Sequence, residues 1–512
     1  TISVADRIAL TITLSGIALG GSTLTFANEG TGNSSIFVNR AITGTGGVTK
    51  TGAGVLTLNG ANTFAGPLTI NGGTVALNNE LALADTVAVT GGSGTILDVL
   101  APETIGSLTG SGRVILRNTA TLTVGGNNTS TTYAGTGADG IVGTGNLAKI
   151  GTGTLTLTGS SSFGGTTTIS GGTLALQGGA ALSDTGQVFV DALGTLRVEA
   201  GETIGGIGGP GSIVLATTGP LIVNAQQNLT FSGVISQSGV IGSFTNRGPA
   251  TQTITAAQTF TGQTSVEAGQ LALTGSGALA STSISTSTGA RLTTDGSALA
   301  SNAVISHAGI LTLSGSETIG SISGTGAISL FNATLSTGNA SDATLSGIIS
   351  GTNGALIKTG TGTLTLSGAN TYNGGTTISG GTLVLNQVAG GTIGAAGSSQ
   401  ITIQSGGNLL SNVTGTLANR FFISSSTDAS IGAASGTTLT LTGDQFVTSP
   451  PFTLTFGSSS ATGTIDLAMP SGVTIGAGMR ANIAGERCGP ATPSVRASSA
   501  SQAEAPQSVT LS

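Results

Sequence analysis

Between Thr154 and Leu176 the chain reads TLTLTGSSSFGGTTTISGGTLAL. Leu155, Leu157, Ile169, Leu174 and Leu176 alternate with Thr or Ala, so apolar side chains fall on one side of each short run. A period of two predicts half-buried strands of three to five residues. The Gly- and Ser-rich stretches between the runs predict turns. The phrase recurs over 28 residues at Lys50–Leu77, Lys149–Leu176 and Lys358–Leu385, with a worn copy from Arg247 to Leu273. Strands this short cannot each bury a core, so each must stack on its neighbours, and the expected class is an all-β solenoid.

The spacing inside the phrase sets the expected coil. Val55 and Thr74, Thr154 and Thr173, and Thr363 and Thr382 each open matching strands 19 residues apart. The second strand is expected to lie on the first, parallel and in register, with TTTIS or TTISG forming a strand on another face. The pairs Gly171-Gly172 and Gly380-Gly381 are expected at tight corners with positive φ. At the start of the chain, Ile8, Leu10, Ile12 and Leu14 alternate as a first strand rather than as a secretory segment.

A second motif follows at a distance: ETIGSLTGSGRVIL from Glu103, ETIGGIGGPGSIVL from Glu202 and ETIGSISGTGAISL from Glu317. Together the two motifs define a higher unit of about 100 residues, or roughly five coils. The expected organisation is a leading segment 1–49, four units (50–148, 149–246, 247–357 and 358–478), and a Pro/Ala/Ser-rich tail 479–512.

Composition narrows the chemistry. Of 512 residues only 7% are charged, against about 25% in typical proteins, and there are 88 Gly, one His, one Cys and no Trp. The net charge of −6 offers no basic patch for nucleic acid. No run of 18 apolar residues predicts a membrane-spanning segment. One Cys allows no internal disulfide.

The pattern K-T-G-x-G-x-L-T-L-x-G-x-N-T-[FY]-x-G-G-T-x-I-x-G-G-T-L-x-L closely resembles the passenger-associated transport repeat of bacterial autotransporters. The phrases from Ala343 to Gly360 and from Leu229 to Gly239 resemble that family as well. The resemblance implies a right-handed, single-stranded parallel β-helix, an elongated rod. It also implies export to the surface of a Gram-negative bacterium. Family members usually end in a translocator barrel rich in aromatic girdles; with 3% aromatics, none is expected within these residues.

Several residues invite a functional reading. Glu103, Glu202 and Glu317 suggest acid/base work, but they share one repeat slot and are better read as corner fixtures. Lys50, Lys149 and Lys358 also share a slot, and are expected to cap coil corners by donating to carbonyls. Phe64, Phe163, Phe260 and Tyr372 precede the glycine turn and are expected to plug the core rather than stack on sugars. His307 lacks the partners of a catalytic triad. The string GGSGTILDV at Gly91 misplaces Asp98 for a calcium repeat. No catalytic residue, cofactor or metal site is expected. The expected role is a structural, adhesin- or passenger-like stalk, with self-association head to tail into a fibre and contact with a surface glycan or host cell. A glycan-binding or glycan-cleaving β-helix is the alternative. Its best window is Asp191, Arg197, Glu199 and Glu202.

Overall fold

The computed structural model describes residues 1–512 except 6, 14–15, 30–33, 388–396, 405, 424–428, 444–445, 449–452, 457–462, 468–479, 484–494 and 498–512. Two compact halves, Thr1–Gly262 and Gln263–Ser512, divide it. Each half is a solenoid of short parallel strands.

In the N-terminal half, one ladder of twelve strands climbs from Ile2–Ala5 to Val234–Gln237. A second, of seven strands, runs from Ala9–Ile12 to Ile141–Gly143. A third, of six, runs from Glu103–Ile105 to Ile207–Gly208. In the C-terminal half, ladders run from Thr264–Val266 to Arg480–Ile483, from Gln270–Leu273 to Ile349–Ser350, and from Glu317–Ile319 to Phe446–Thr448. The strands Arg480–Ile483 and Val495–Ala497 lie in the segment expected as a tail and pair in parallel with Thr453–Phe456 and Thr464–Leu467. Cys488 and the final SVTLS lie outside the described residues.

The 19-residue offset is realised. Val55 pairs with Thr74, Thr154 with Thr173 and Thr363 with Thr382, each parallel and in register. Thr167–Ile169 and Thr376–Ile378 lie in other sheets, as their position between the paired strands requires. Coil length varies elsewhere: Ile2 pairs with Phe26 and Val114 with Ile141. Of each Gly-Gly pair, only the second takes positive φ, 61° at Gly172 and 60° at Gly381. A Cβ on Gly172 would meet the Gly151 carbonyl oxygen at 2.5 Å, so the corner needs glycine for space as well as for conformation.

The inward residues of each strand form continuous aliphatic ladders. Ile36, Leu56, Val75, Leu97 and Val114 stack through successive coils of one face, all at 3% exposure or less. Outward, Thr25, Thr49, Thr69, Thr90 and Thr109 form a threonine ladder, with the Thr90 and Thr109 hydroxyls 2.8 Å apart. Each coil thus buries its aliphatic side against two neighbours, the nearest-neighbour stabilisation of a repeat protein.

Equivalent repeats do not sit directly above one another. Val55–Leu58 belongs to the seven-stranded sheet, whereas its counterpart Thr154–Leu157 belongs to the twelve-stranded sheet. The repeat therefore stops one face short of five coils, and its residues wind around the axis. The cause is the ETIG motif: Glu103–Ile105 is the first strand of a new ladder and has a hydrogen-bonded neighbour only above, Thr121–Val124. Glu202–Ile204 and Glu317–Ile319 likewise start ladders.

Candidate functional site

The three Glu residues stand where a new face begins and no strand lies beneath. The segment below Glu103 is the turn Asn79–Asp85, whose N–H groups have no ladder partner. The Glu103 carboxylate fills that role, accepting from Ala82 N and Leu83 N, both at 3.0 Å. Glu202 accepts from Ala181 N (3.1 Å) and Leu182 N (2.7 Å). Glu317 accepts from Ala298 N (3.0 Å) and Leu299 N (3.2 Å). All three carboxylates are buried, at 3, 1 and 1% exposure. Burial pushes Glu103 up to about 8 and Glu202 up to about 7, with Glu317 raised as well. The donated N–H bonds pull the other way, while Asp85, Asp184 and Asp295 add to the rise.

Lys50, Lys149 and Lys358 are the chain's three lysines, and all point inward at 1% exposure or less. Lys50 Nζ donates to the carbonyls of Thr51 (2.8 Å), Gly52 (2.7 Å) and Gly72 (3.1 Å). Lys149 Nζ reaches Ile150 (2.6 Å), Gly151 (3.2 Å) and Gly171 (3.2 Å). Lys358 Nζ reaches Thr359 (2.5 Å), Gly360 (3.1 Å) and Gly380 (3.1 Å). Each ammonium therefore ties its own corner to the corner one coil on. Burial pushes Lys50 down to about 8 and lowers the other two. The three carbonyl bonds favour the charged form and oppose that fall. In the worn repeat the strand Ser243–Asn246 ends where Asn146–Lys149 and Ala355–Lys358 end, so the lysine slot holds Asn246, one residue before Arg247.

Phe64, Phe163, Phe260 and Tyr372 are buried at 1% exposure or less, out of reach of a sugar in solution. Phe260 also meets Phe244, ring centroids 6.2 Å apart. His307 closes the strand Val304–His307 and faces inward at 1% exposure. Its Nε2 lies 3.0 Å from the Ala327 carbonyl and must donate to it. Its Nδ1 then accepts from the Thr286 hydroxyl at 2.6 Å. Burial lowers its pKa, against the pull of the Ala327 carbonyl, and so favours the neutral ring that this bonding uses.

The charged window from Asp191 to Glu202 does not converge. Glu202 turns inward, Arg197 pairs with Glu199 at 2.5 Å, and Asp191 accepts from the Ser170 hydroxyl at 2.7 Å. Among the described residues no group of three His, Cys, Asp or Glu side chains could hold a metal ion.

A further recurring fixture went unread in the sequence. Asn62 accepts from Ile42 N (2.7 Å) in the coil below and donates to Ala82 O (2.7 Å) in the coil above. Gln258 and Asn370 make the equivalent acceptance from Ile235 N (2.5 Å) and Ile349 N (2.7 Å). The signal was the Asn of the N-T-[FY] triplet. Repetition alone could have flagged it, but Asn before Thr in a Gly-rich stretch reads as a turn residue.

Comparison with known proteins agrees with this architecture. The family model of the passenger-associated-transport-repeat matches residues 48–77, 147–176, 244–273 and 356–385. The adhesin BmaC autotransporter of Brucella suis biovar 1 (strain 1330) is 39% identical over 79 residues. Those residues are 15% of this chain and 2% of that relative, so the chain spans only a small part of the length of the protein it matches. No solved structure matches. Among the described residues no helix is long and apolar enough to cross a membrane. The chain is therefore a β-solenoid that carries four passenger-associated transport repeats and is similar over part of its length to an autotransporter adhesin, which places it outside or on the outer surface of a Gram-negative bacterium.

Proposed function

We propose that the chain is a non-enzymatic stalk of a surface adhesin, in which Lys50, Lys149, Lys358, Glu103, Glu202, Glu317, Phe64, Phe163, Phe260 and Tyr372 are structural fixtures. One observation carries this reading: the side chains with the most chemistry to offer are inside the coils, bonded to backbone. The outer faces are left to Thr, Ser and Asn ladders such as Asn39, Asn59 and Asn78, whose amides join at 2.7 and 2.8 Å. Such faces carry little charge to keep copies apart, which supports self-association. The kinship of one segment with an adhesin supports contact with a host surface or its glycans.

The test is display of the chain on a non-adherent Gram-negative strain. Adherence to host cells that rises with display, without release of reducing sugar from their glycans, is the expected result. Glycan cleavage, or adherence unchanged by display, contradicts the reading. Particles that lengthen with concentration in negative-stain images are expected if copies associate end to end, and uniform single particles contradict that part.

A further inference from the structure

Each ladder-starting Glu is a buried carboxyl with no cation beside it among the described residues. Below Glu103 the turn carries Asp85 and the exposed Glu80; its own strand and the strand above, Thr121–Val124, carry no charge. Below Glu202 the turn carries Asp184, and the strand above is Pro220–Val223. Below Glu317 lies Asp295, and above it Thr334–Thr337. In all three places the nearest charge acting on the carboxyl is another acid. An ionised carboxylate would gain two N–H bonds there, but it would be unpaired, desolvated and repelled by an Asp. A protonated carboxyl keeps acceptors for both N–H groups and escapes the repulsion.

We propose that these three corners make folding proton-linked: each Glu keeps its proton to a higher pH in the folded coil than in the unfolded chain, so acid tightens the solenoid and alkali loosens it where new faces begin. The sign follows from linkage. A carboxyl that ionises later in the folded chain than in the unfolded one contributes stability that is complete below about 4.5. That contribution is lost as pH rises through about 7 at Glu202 and about 8 at Glu103. His307, lowered by burial, acts in the opposite sense, so variants must separate the two.

The experiment uses the full chain with ¹³C-carboxyl-labelled Glu. Infrared spectra of the folded protein at pH 6 are expected to show a protonated-carboxyl band that vanishes on unfolding. Amide hydrogen exchange at Leu83 and Leu182, corrected for intrinsic rates, is expected to quicken between pH 5 and pH 7 by up to about tenfold per unit. In the Glu103→Gln/Glu202→Gln variant that acceleration is expected to disappear, because Gln cannot ionise. A folded wild type without the protonated band overturns the proposal. So does an exchange profile whose pH dependence survives both substitutions. Should the double variant fail to fold, the wild-type infrared band decides alone.

Discussion

The side-chain amide of Gln252 bonds both backbone groups of Ile207: Oε1 accepts from its N–H at 3.1 Å and Nε2 donates to its carbonyl at 2.9 Å. Gln252 occupies an inward slot that holds Leu56, Leu155 and Leu364 in the other repeats, and it is fully buried. The six-stranded ladder ends at Ile207–Gly208, and Leu229–Phe231 starts another. Gln252 reaches past Leu229 and acts as a one-residue strand across that break. Gln252→Leu therefore restores the repeat consensus yet destabilises. Leaving two buried backbone groups unpaired is expected to cost about 2 kcal/mol net of the apolar gain. Urea unfolding of the variant checks this; a more stable Leu variant contradicts it.

Replacing Lys149 by Met keeps the length of the side chain and removes the three donors to Ile150, Gly151 and Gly171. The expected loss is about 3 kcal/mol, from carbonyls left without a partner in a buried corner. Because a repeat array opens locally, the loss is read as faster hydrogen exchange around Gly171–Leu176. Unchanged protection there contradicts the cage.

The three lysines are buried, so an amine-acylating reagent is expected to leave Lys50, Lys149 and Lys358 unmodified in the folded chain and to modify all three in urea. Peptide mass spectrometry reads each site. Rapid native acylation at any of them contradicts its placement.

The second repeat lacks the amide clip, because Ser161 stands where Asn62 and Asn370 stand in the others. The backbone around it is equivalent: Ser161 N donates to Ala180 O as Asn62 N does to Leu81 O. Ser161→Asn is expected to bond the Ile141 N–H and stabilise by about 1 kcal/mol. Melting of the variant against the parent checks the gain; a drop contradicts the clip's role.

How far the sequence could be read follows from what each feature depends on. The in-register pairing of Thr154 with Thr173 was legible because the offset of two like strands is a property of the sequence alone. The inward course of Leu155 followed from alternation. The winding of the repeats around the axis was not legible. It depends on Glu103 starting a face above a strandless turn, and nothing in ETIG marks the absence of a strand beneath. The worn repeat misled in register. Arg247 looks like the missing cation, yet strand ends place Asn246 in the lysine slot. Gln252 was hidden because its partner is two coils away, and no local pattern predicts a buried amide among leucines.

Stacking of successive coils along one face is tested most directly by pulsed electron resonance between nitroxides at Thr25 and Thr156, in chains with both positions changed to Cys and Cys488 removed. The two threonines lie on the same twelve-stranded ladder, six steps apart. At about 4.8 Å per step the account predicts a narrow distribution centred near 29 Å, within the reach of the label arms. A broad distribution, or one centred beyond about 45 Å, would contradict it.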